Sequence, residues 1–464
     1  MSVTIKRQKK TIPTYVPEKP NKMPYFIEGR AYQGACGRVY PIPCRDRLAD
    51  APVPKAYDMI TLSNEHIEVN LLPEIGGKVY GARDKHNGYE FIYQNPVVKP
   101  AMVGLAGPWV SGGIEFNWPQ HHRPTSFAPV EATVRRNGGG SVTVWMGEAE
   151  PFHRIRGAVG ITVYPGKSYV EAKAVLYNRT DLPLPFMWWN NLAVRVGPRY
   201  KAVFPPDVEY GNDHDRRAVV SFPVMKGVYH TARPYDYGEG VDGTWFSNVK
   251  LPTSVMVRRG YSDMDFLGGY DFSAGAGTVT VADHHVSVGK KMWTWGDGDF
   301  GKAWCANLTD NGDRYIELMT GVYSDNQPDF TYIQPGETKE FTQIWYPVQG
   351  IGEMVNATRD GALSLKREVA NANLLVFMRF SEYQCPLIVH SRMNYAFFLS
   401  AEAEAWFPFS FSRTSSAMVG RRPTYLSAIC GVLCPNRYCR LLTSTPFATA
   451  LVASCIDLVD CSGA

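Results

Sequence analysis

Two glutamates stand in surroundings that could put a carboxylate to chemical use. Glu317 lies in Tyr315-Ile316-Glu317-Leu318-Met319, an alternating run that predicts a strand with Glu317 on one face and Ile316 and Leu318 on the other. A polar turn from Ser324 to Asp329, a Pro335-Gly336 turn and a second alternating run, Thr338 to Trp345, follow it. Together they predict a local antiparallel unit that aims one carboxylate at a surface. Glu115 lies in the block Gly107 to Thr125, where Trp109, Asn117, Trp118, Gln120, His121, His122 and Arg123 crowd among glycines and prolines that favour a loop. Hydrogen-bonding groups beside flat indoles suit the hydroxyls and apolar faces of a sugar. Two adjacent imidazoles do not readily chelate one metal from one face, so His121 and His122 are read as hydrogen-bonding groups and no metal is expected. A third cluster interleaves Trp293, Trp295 and Trp304 with Asp297, Asp299 and Lys302. Plainer readings stand beside these: Glu317 as an ion-pair partner, Trp118 and the other indoles as core, Arg123 as the partner of a carboxylate. A pair of carboxyl groups supports glycoside hydrolysis at a separation of about 5 Å for retention or about 6.5–9.5 Å for inversion.

The elements that must position these residues read as strands. Ile67 to Leu71 alternates, Glu74-Ile75-Gly76-Gly77 turns, and a further strand starts at Lys78. Ser141–Met146, Ala158–Tyr164 and Tyr169–Tyr177 repeat the period of two about every ten residues, with Pro165-Gly166-Lys167 between the last two. That spacing predicts an all-β sandwich or barrel over 51–350, and no strongly amphipathic helix is expected before Ile351. Residues 1–50 read as an irregular leader with an edge strand at Thr11–Tyr15, and 351–374 as a connecting segment mixing short helix and strand. The last lysine is Lys366, and 375–464 holds six of nine cysteines; this Cys-, Ser- and Arg-rich tail reads as poorly defined and foreign to the domain. Cys430, Cys434 and Cys439 fit no zinc module.

Among 464 residues, 45% are hydrophobic, 20% charged and 13% aromatic, with a net charge of +4. The balance is that of a globular chain and gives no case for nucleic acid or an anionic membrane as partner. The basic start, Met1 to Lys10, has no apolar run behind it, and no 18-residue apolar window occurs, so a cytoplasmic protein without a membrane partner or cofactor is expected.

The run from Glu317 through the polar loop to Pro335-Gly336-Glu337 resembles the C-terminal signature of the aldose 1-epimerase (galactose mutarotase) superfamily. The strand, Gly76-Gly77 turn and strand resemble its opening. A narrower resemblance is to the mutarotase-like domains of unassigned function called DUF5107. It rests on Gly107-Pro108-Trp109, Gly112 to Pro124, Tyr177 to Thr180, Phe204-Pro205-Pro206-Asp207, Ala282-Asp283-His284-His285 and Trp293 to Trp304, within about residues 10–365. It implies an antiparallel β-supersandwich, normally followed by a tetratricopeptide array whose place the tail takes here. It also implies a carbohydrate ligand, with Glu317 matching the superfamily's general base. The epimerase acid, a His, is replaced by Asn191, whose amide donates no proton near neutral pH; Ser111 stands where a second His would precede Gly112-Gly113. Three readings follow. One is a glycoside hydrolase using Glu317 and Glu115, the second a sugar-binding or sensing module, the third a sugar 1-epimerase with His122 as a relocated acid. The expected substrate contacts are Trp118, His121, His122, Arg123, Asn191, Trp293, Trp295, Asp299 and Lys302.

Overall fold

The computed structural model describes residues 2–22, 42–104, 106–213, 215, 218–230, 234–257, 262–322, 329–368, 373–380, 386–394 and 396–400. The loop expected at Ser324 to Pro328 lies outside these residues, as do Cys385, Cys430, Cys434 and Cys439. The chain divides into two compact units, 1–347 and 348–464.

In the first unit the central strands run, in chain order, β1 (Lys78–Asp84), β2 (Ile114–Asn117), β3 (Val142–Ala149), β4 (Arg156–Val163), β5 (Val170–Tyr177), β6 (Trp188–Arg195), β7 (Gly289–Thr294), β8 (Tyr315–Val322) and β9 (Thr338–Gln349). One helix, α1 (Asp299–Leu308), sits between β7 and β8. They form two large antiparallel sheets. The first has twelve strands in the order Thr4–Thr14, Val53–Ser63, Ile67–Leu72, β1, β2, β6, β8, β7, Thr253–Val257, Tyr210–Asp213 and Ala218–Ser221, with Glu90–Ile92 paired to β1. The second has eight, in the order Tyr200–Val203, Phe266–Asp271, Ala276–Val281, β9, β5, β4, β3 and Glu131–Arg136.

Period two decides which side chains meet between the sheets. Val144 and Met146 of β3, Ile161 of β4 and Ala172, Ala174 and Leu176 of β5 join one apolar cluster with Phe116 of β2, Trp188 and Leu192 of β6, and Ile316 and Leu318 of β8. Each such aliphatic side chain contributes about 1.5–3 kcal/mol by leaving water. A polar bridge crosses the layer: Gln343 Nε2 of β9 donates to Thr320 Oγ1 of β8 at 2.8 Å and to Ser287 Oγ at 3.1 Å. Its Oε1 accepts from Trp188 Nε1 at 3.2 Å, so the buried amide is satisfied on both sides. Where β2 starts against β1, a Cβ on Gly113 would lie 2.1 Å from Val79 O, and its φ is +68°; only glycine allows that approach.

Two expectations need correction. Thr4–Thr14 is a full strand paired along its length with Val53–Ser63, longer than the edge strand expected at Thr11–Tyr15. Its Lys6, Arg7, Lys9 and Lys10 mask the alternation, as edge strands often do. The Gly- and Trp-rich run after β7 forms α1, which buries Gly301, Cys305 and Leu308 on one face; its glycines and aromatics hid the helical period. No helix among the described residues is long and apolar enough to cross a membrane.

In the second unit, Asn356–Ala357, Gly361–Glu368, Asn373–Phe380, Pro386–Asn394 and Ala396–Ser400 form a five-stranded antiparallel meander in sequence order. The segment 351–374 therefore contributes strands rather than a helix–strand mixture among its described residues, and the start of the tail is strand as well.

Candidate functional site

The twelve-stranded sheet also has an outer face, turned away from the apolar layer, and its central strands are buried there too. All eight residues of β8 and seven of eight in β6 are buried. Because Ile316 and Leu318 point inward, Glu317 points outward, as the alternation predicts. The register then sets its neighbours: Glu317 pairs with Ala193 of β6 and Trp293 of β7, while Asn191 of β6 pairs with Glu115 of β2 and Met319 of β8. Lys291 of β7 pairs with Met319 from the other side. Glu115 and Glu317 are 5% and 6% exposed, and Lys78, Asn191 and Lys291 are buried.

The two carboxyls have different partners. Glu115 Oε2 accepts from Trp109 Nε1 at 2.8 Å, and His122 Nδ1 lies 3.1 and 3.0 Å from its two oxygens. Lys78 is close by, its Nζ donating to Val110 O and Gly112 O at 2.6 Å each. Burial pushes Glu115 up, but the His122 charge and hydrogen bond, Lys78 and the Trp109 N–H outweigh it and hold the carboxyl at about 2. Glu317 accepts a single described hydrogen bond, from Asn191 Nδ2 at 3.1 Å. Burial raises it to about 7; His122, Lys291 and Lys78 oppose the rise and the Glu115 charge adds to it. Burial also lowers Lys291 to about 7 and Lys78 to about 8, against the pull of Glu317 on the first and of Glu115 and Glu317 on the second. Near neutral pH the site thus holds one fixed carboxylate and one carboxyl poised to exchange a proton, the separation of acid and base roles that paired carboxyls use. Asn191 Oδ1 has no hydrogen-bond partner among the described residues. A buried orphan acceptor costs about 1–3 kcal/mol, and a ligand hydroxyl would satisfy it.

Aromatic rings wall the cluster. The His122 ring lies 5.1 Å from Trp109 and 3.7 Å from His121. On the other side Trp293 meets Trp295 edge-on at 4.3 Å, and Trp295 stacks on Trp304 of α1 at 4.2 Å and 4°.

Of the expected site residues, the structure gathers Glu115, Glu317, His121, His122, Asn191 and Trp293. Trp295 stands behind Trp293 as its support. Four fall elsewhere. Trp118 is 1% exposed and belongs to the inter-sheet core, so its indole offers no face to a sugar. Arg123 is buried, 3.4 Å from Glu148 and donating to Gly76 O, with its guanidinium 5.3 Å from the Trp118 ring; it braces the loop. Asp299 and Lys302 pair with each other at 3.0 Å on the exposed first turn of α1. Ser111 accepts from Asn95 Nδ2 at 3.1 Å. Trp109, from the same loop block as Glu115, joins the site. Lys78 and Lys291 join it without a signal in the sequence: a lysine on a strand reads as solvated, and only burial of the second face shows otherwise. A metal was not expected, yet Asp283, His284 and His285 offer ligand atoms within 4.8 Å of one another. His284 Nδ1 there already meets Asp265 Oδ1 at 2.7 Å.

A family model described as "Domain of unknown function (DUF5107)" matches residues 35–348. Among solved structures, a TPR-domain containing protein from Parabacteroides distasonis is similar at 24% identity and a TM-score of 0.64. The match covers 80% of this chain and 60% of that one, so the chain spans about three-fifths of that protein's length. A putative mutarotase from Salmonella typhimurium matches at 11% identity and a TM-score of 0.44, over 66% of this chain and 97% of that one. A galactose mutarotase-like protein from Clostridium acetobutylicum matches at 11% and 0.44, over 63% and 96%.

Proposed function

We propose, from the premise that this chain belongs to the DUF5107 family, that its outer-face site is that of a carbohydrate-active enzyme, most directly a glycoside hydrolase working on an oligosaccharide. One observation carries the reading: two buried carboxyl groups share a sheet face, one pinned as an anion by Trp109 and His122, the other left protonatable with Asn191 beside it. In this scheme Glu317 gives its proton to the glycosidic oxygen as the C–O bond breaks. Glu115, anionic as the bond breaks, stabilises the positive charge that develops at the anomeric carbon and then takes a proton from the water that attacks there; passing that proton through solvent back to Glu317 restores the starting state. Asn191 Oδ1 accepts a hydroxyl. His122 and Trp293 are partly exposed on the two sides of the cluster, and in this scheme the sugar enters between them.

The test is an oligosaccharide panel read for new reducing ends. Glu317→Gln keeps size and hydrogen bonding and is expected to cost about 10²–10⁴ in rate, with no loss of stability and with sugar affinity nearly intact. Turnover that survives the substitution would remove Glu317 from the mechanism. A second reading rests on His122, whose Nδ1 reaches Glu115 Oε2 at 3.0 Å within the same cluster and whose charge opposes the rise of Glu317. In a 1-epimerase Glu317 would be the base and His122 the relocated acid, and polarimetry would show mutarotation that His122→Gln abolishes. Calorimetric binding without turnover in either assay would leave a binding module.

A further inference from the structure

The eight-stranded sheet has an outer face of its own, on the opposite side of the sandwich from Glu115 and Glu317. Val144 and Met146 point into the core, so Trp145 between them points out. In register Trp145 faces Gly160 of β4 on one side and Thr133 on the other. A Cβ placed on Gly160 would lie 2.9 Å from each of Trp145 Cδ2, Cε2 and Cζ2. Equal approach to three atoms of one ring means that the indole lies flat over the Gly160 backbone, a posture that any larger residue at 160 would prevent. The next row along the same face is Glu131, Gly147 and Ala158, two of them small enough to leave a trough. A cavity of about 430 Å³ opens there, lined by Trp145, Gly147, Ala158, Glu131, Arg156 and Arg179 among others. Arg156 and Arg179 are exposed, and their side chains make no hydrogen bond or ion pair with another described residue. Glu148, at the same cavity, is taken up by Arg123 and Thr125.

We propose that this trough is a second, non-catalytic saccharide site selective for an acidic sugar, a uronate whose ring stacks on Trp145 and whose carboxylate meets Arg156 and Arg179. The flat, partly exposed indole matches the apolar C–H face of a pyranose. Two guanidinium forks without a protein carboxylate match a ligand carboxylate in geometry and charge. Glu131, across the trough, accepts a ring hydroxyl. Because the site faces away from Glu115 and Glu317, it anchors a chain without presenting it to those carboxyls, and it stands or falls independently of the activity proposed for them.

Calorimetry on the full chain tests it, with trigalacturonate as the acidic probe, maltotriose as the neutral one and sodium sulfate as a bare anion. Trigalacturonate is expected to bind, with affinity falling at least about tenfold in Trp145→Ala and in the double variant Arg156→Gln/Arg179→Gln. Competition by sulfate should weaken the arginine contribution and leave the stacking. If Trp145→Ala lowers the melting temperature, the double arginine variant on the exposed surface decides alone. Three results overturn the proposal: no trigalacturonate binding up to about 10 mM, binding untouched by the arginine changes, which would move the ligand to another face, or maltotriose binding as tightly as trigalacturonate.

Discussion

Strands β5 and β8 are both eight residues long, both lie inside a sheet, and both give one face to the same core, yet their other faces differ. On β5 the outward residues Glu171, Lys173 and Val175 are half-buried and Tyr177 is exposed. Lys173 pairs with Glu340 at 2.7 Å with both side chains largely in water. On β8 the outward residues Tyr315, Glu317, Met319 and Gly321 are all buried, and Glu317 is met by an amide rather than a cation. A charge in water costs the fold little, whereas one under a second layer of side chains costs several kcal/mol unless its partners are complete. Stability alone would fill such a face with apolar residues. Charged and amide groups there instead give the desolvated, mutually perturbing set on which the proposed activity rests.

The comparison breaks most visibly at Glu115. Glu115→Gln removes the anion that His122 and Lys78 face, and a buried pair that loses one member typically costs 3–5 kcal/mol. An expected loss of about 3 kcal/mol in urea unfolding contrasts with about 1 kcal/mol or less for Glu171→Gln on β5, where the half-buried side chain accepts from Tyr164 OH at 2.7 Å. Equal losses at the two positions would mean that the second layer over β2 and β8 does not desolvate what it covers.

A smaller and more diagnostic contrast comes from pH. Glu115, held at about 2 against an ordinary 4.5, adds stability that is present above pH 4.5 and is lost as the pH falls toward 2. Glu317, raised to about 7 from the same reference, adds stability while protonated. That share is full below pH 4.5 and is lost as the pH rises to 7. Relative to the parent, Glu317→Gln should therefore gain stability between pH 4.5 and 7.5, by about 3 kcal/mol at most for a shift of this size. Urea midpoints at pH 4.5, 6 and 7.5 measure it, and a difference that stays constant with pH would show that Glu317 is ionised throughout.

Much of this was legible in the chain. Ile316 and Leu318 fixed the side on which Glu317 lies, and the strand after Tyr177-Asn178-Arg179-Thr180 brought Asn191 to it. The same period, run through Glu115-Phe116-Asn117-Trp118, assigns Trp118 to the side of Phe116, so its place in the core was available from the residues that made Glu115 a candidate. Lys78 and Lys291 could not be read this way. Local alternation says which face a lysine takes, but whether that face is wet depends on covering segments such as Trp109 and Val110, which are local to neither lysine in sequence. The helix α1 was hidden for a related reason: its buried face consists of Gly301, Cys305 and Leu308, too small and mixed to show a period.

The smallest effect sharpens the comparison from the other side. Lys173→Ala removes a full charge from the middle of β5, a strand as central to its sheet as β8, so strand position alone would predict a large loss. The pair it breaks, Lys173 Nζ to Glu340 at 2.7 Å, joins side chains that are 43% and 51% exposed. Both charges are hydrated in the unfolded chain and almost as well hydrated in the folded one, and the pair gains only a screened attraction while two long side chains lose freedom. The expected cost is about 0.2–1 kcal/mol, most of it gone at 1 M salt, where charges are screened within about 3 Å. A double-mutant cycle with Glu340→Ala separates the pair from loss of the lysine stem. A coupling above about 2 kcal/mol, or one that salt leaves unchanged, would show that the outer face of β5 is as desolvated as that of β8. The contrast that marks Glu115 and Glu317 as a site would then disappear.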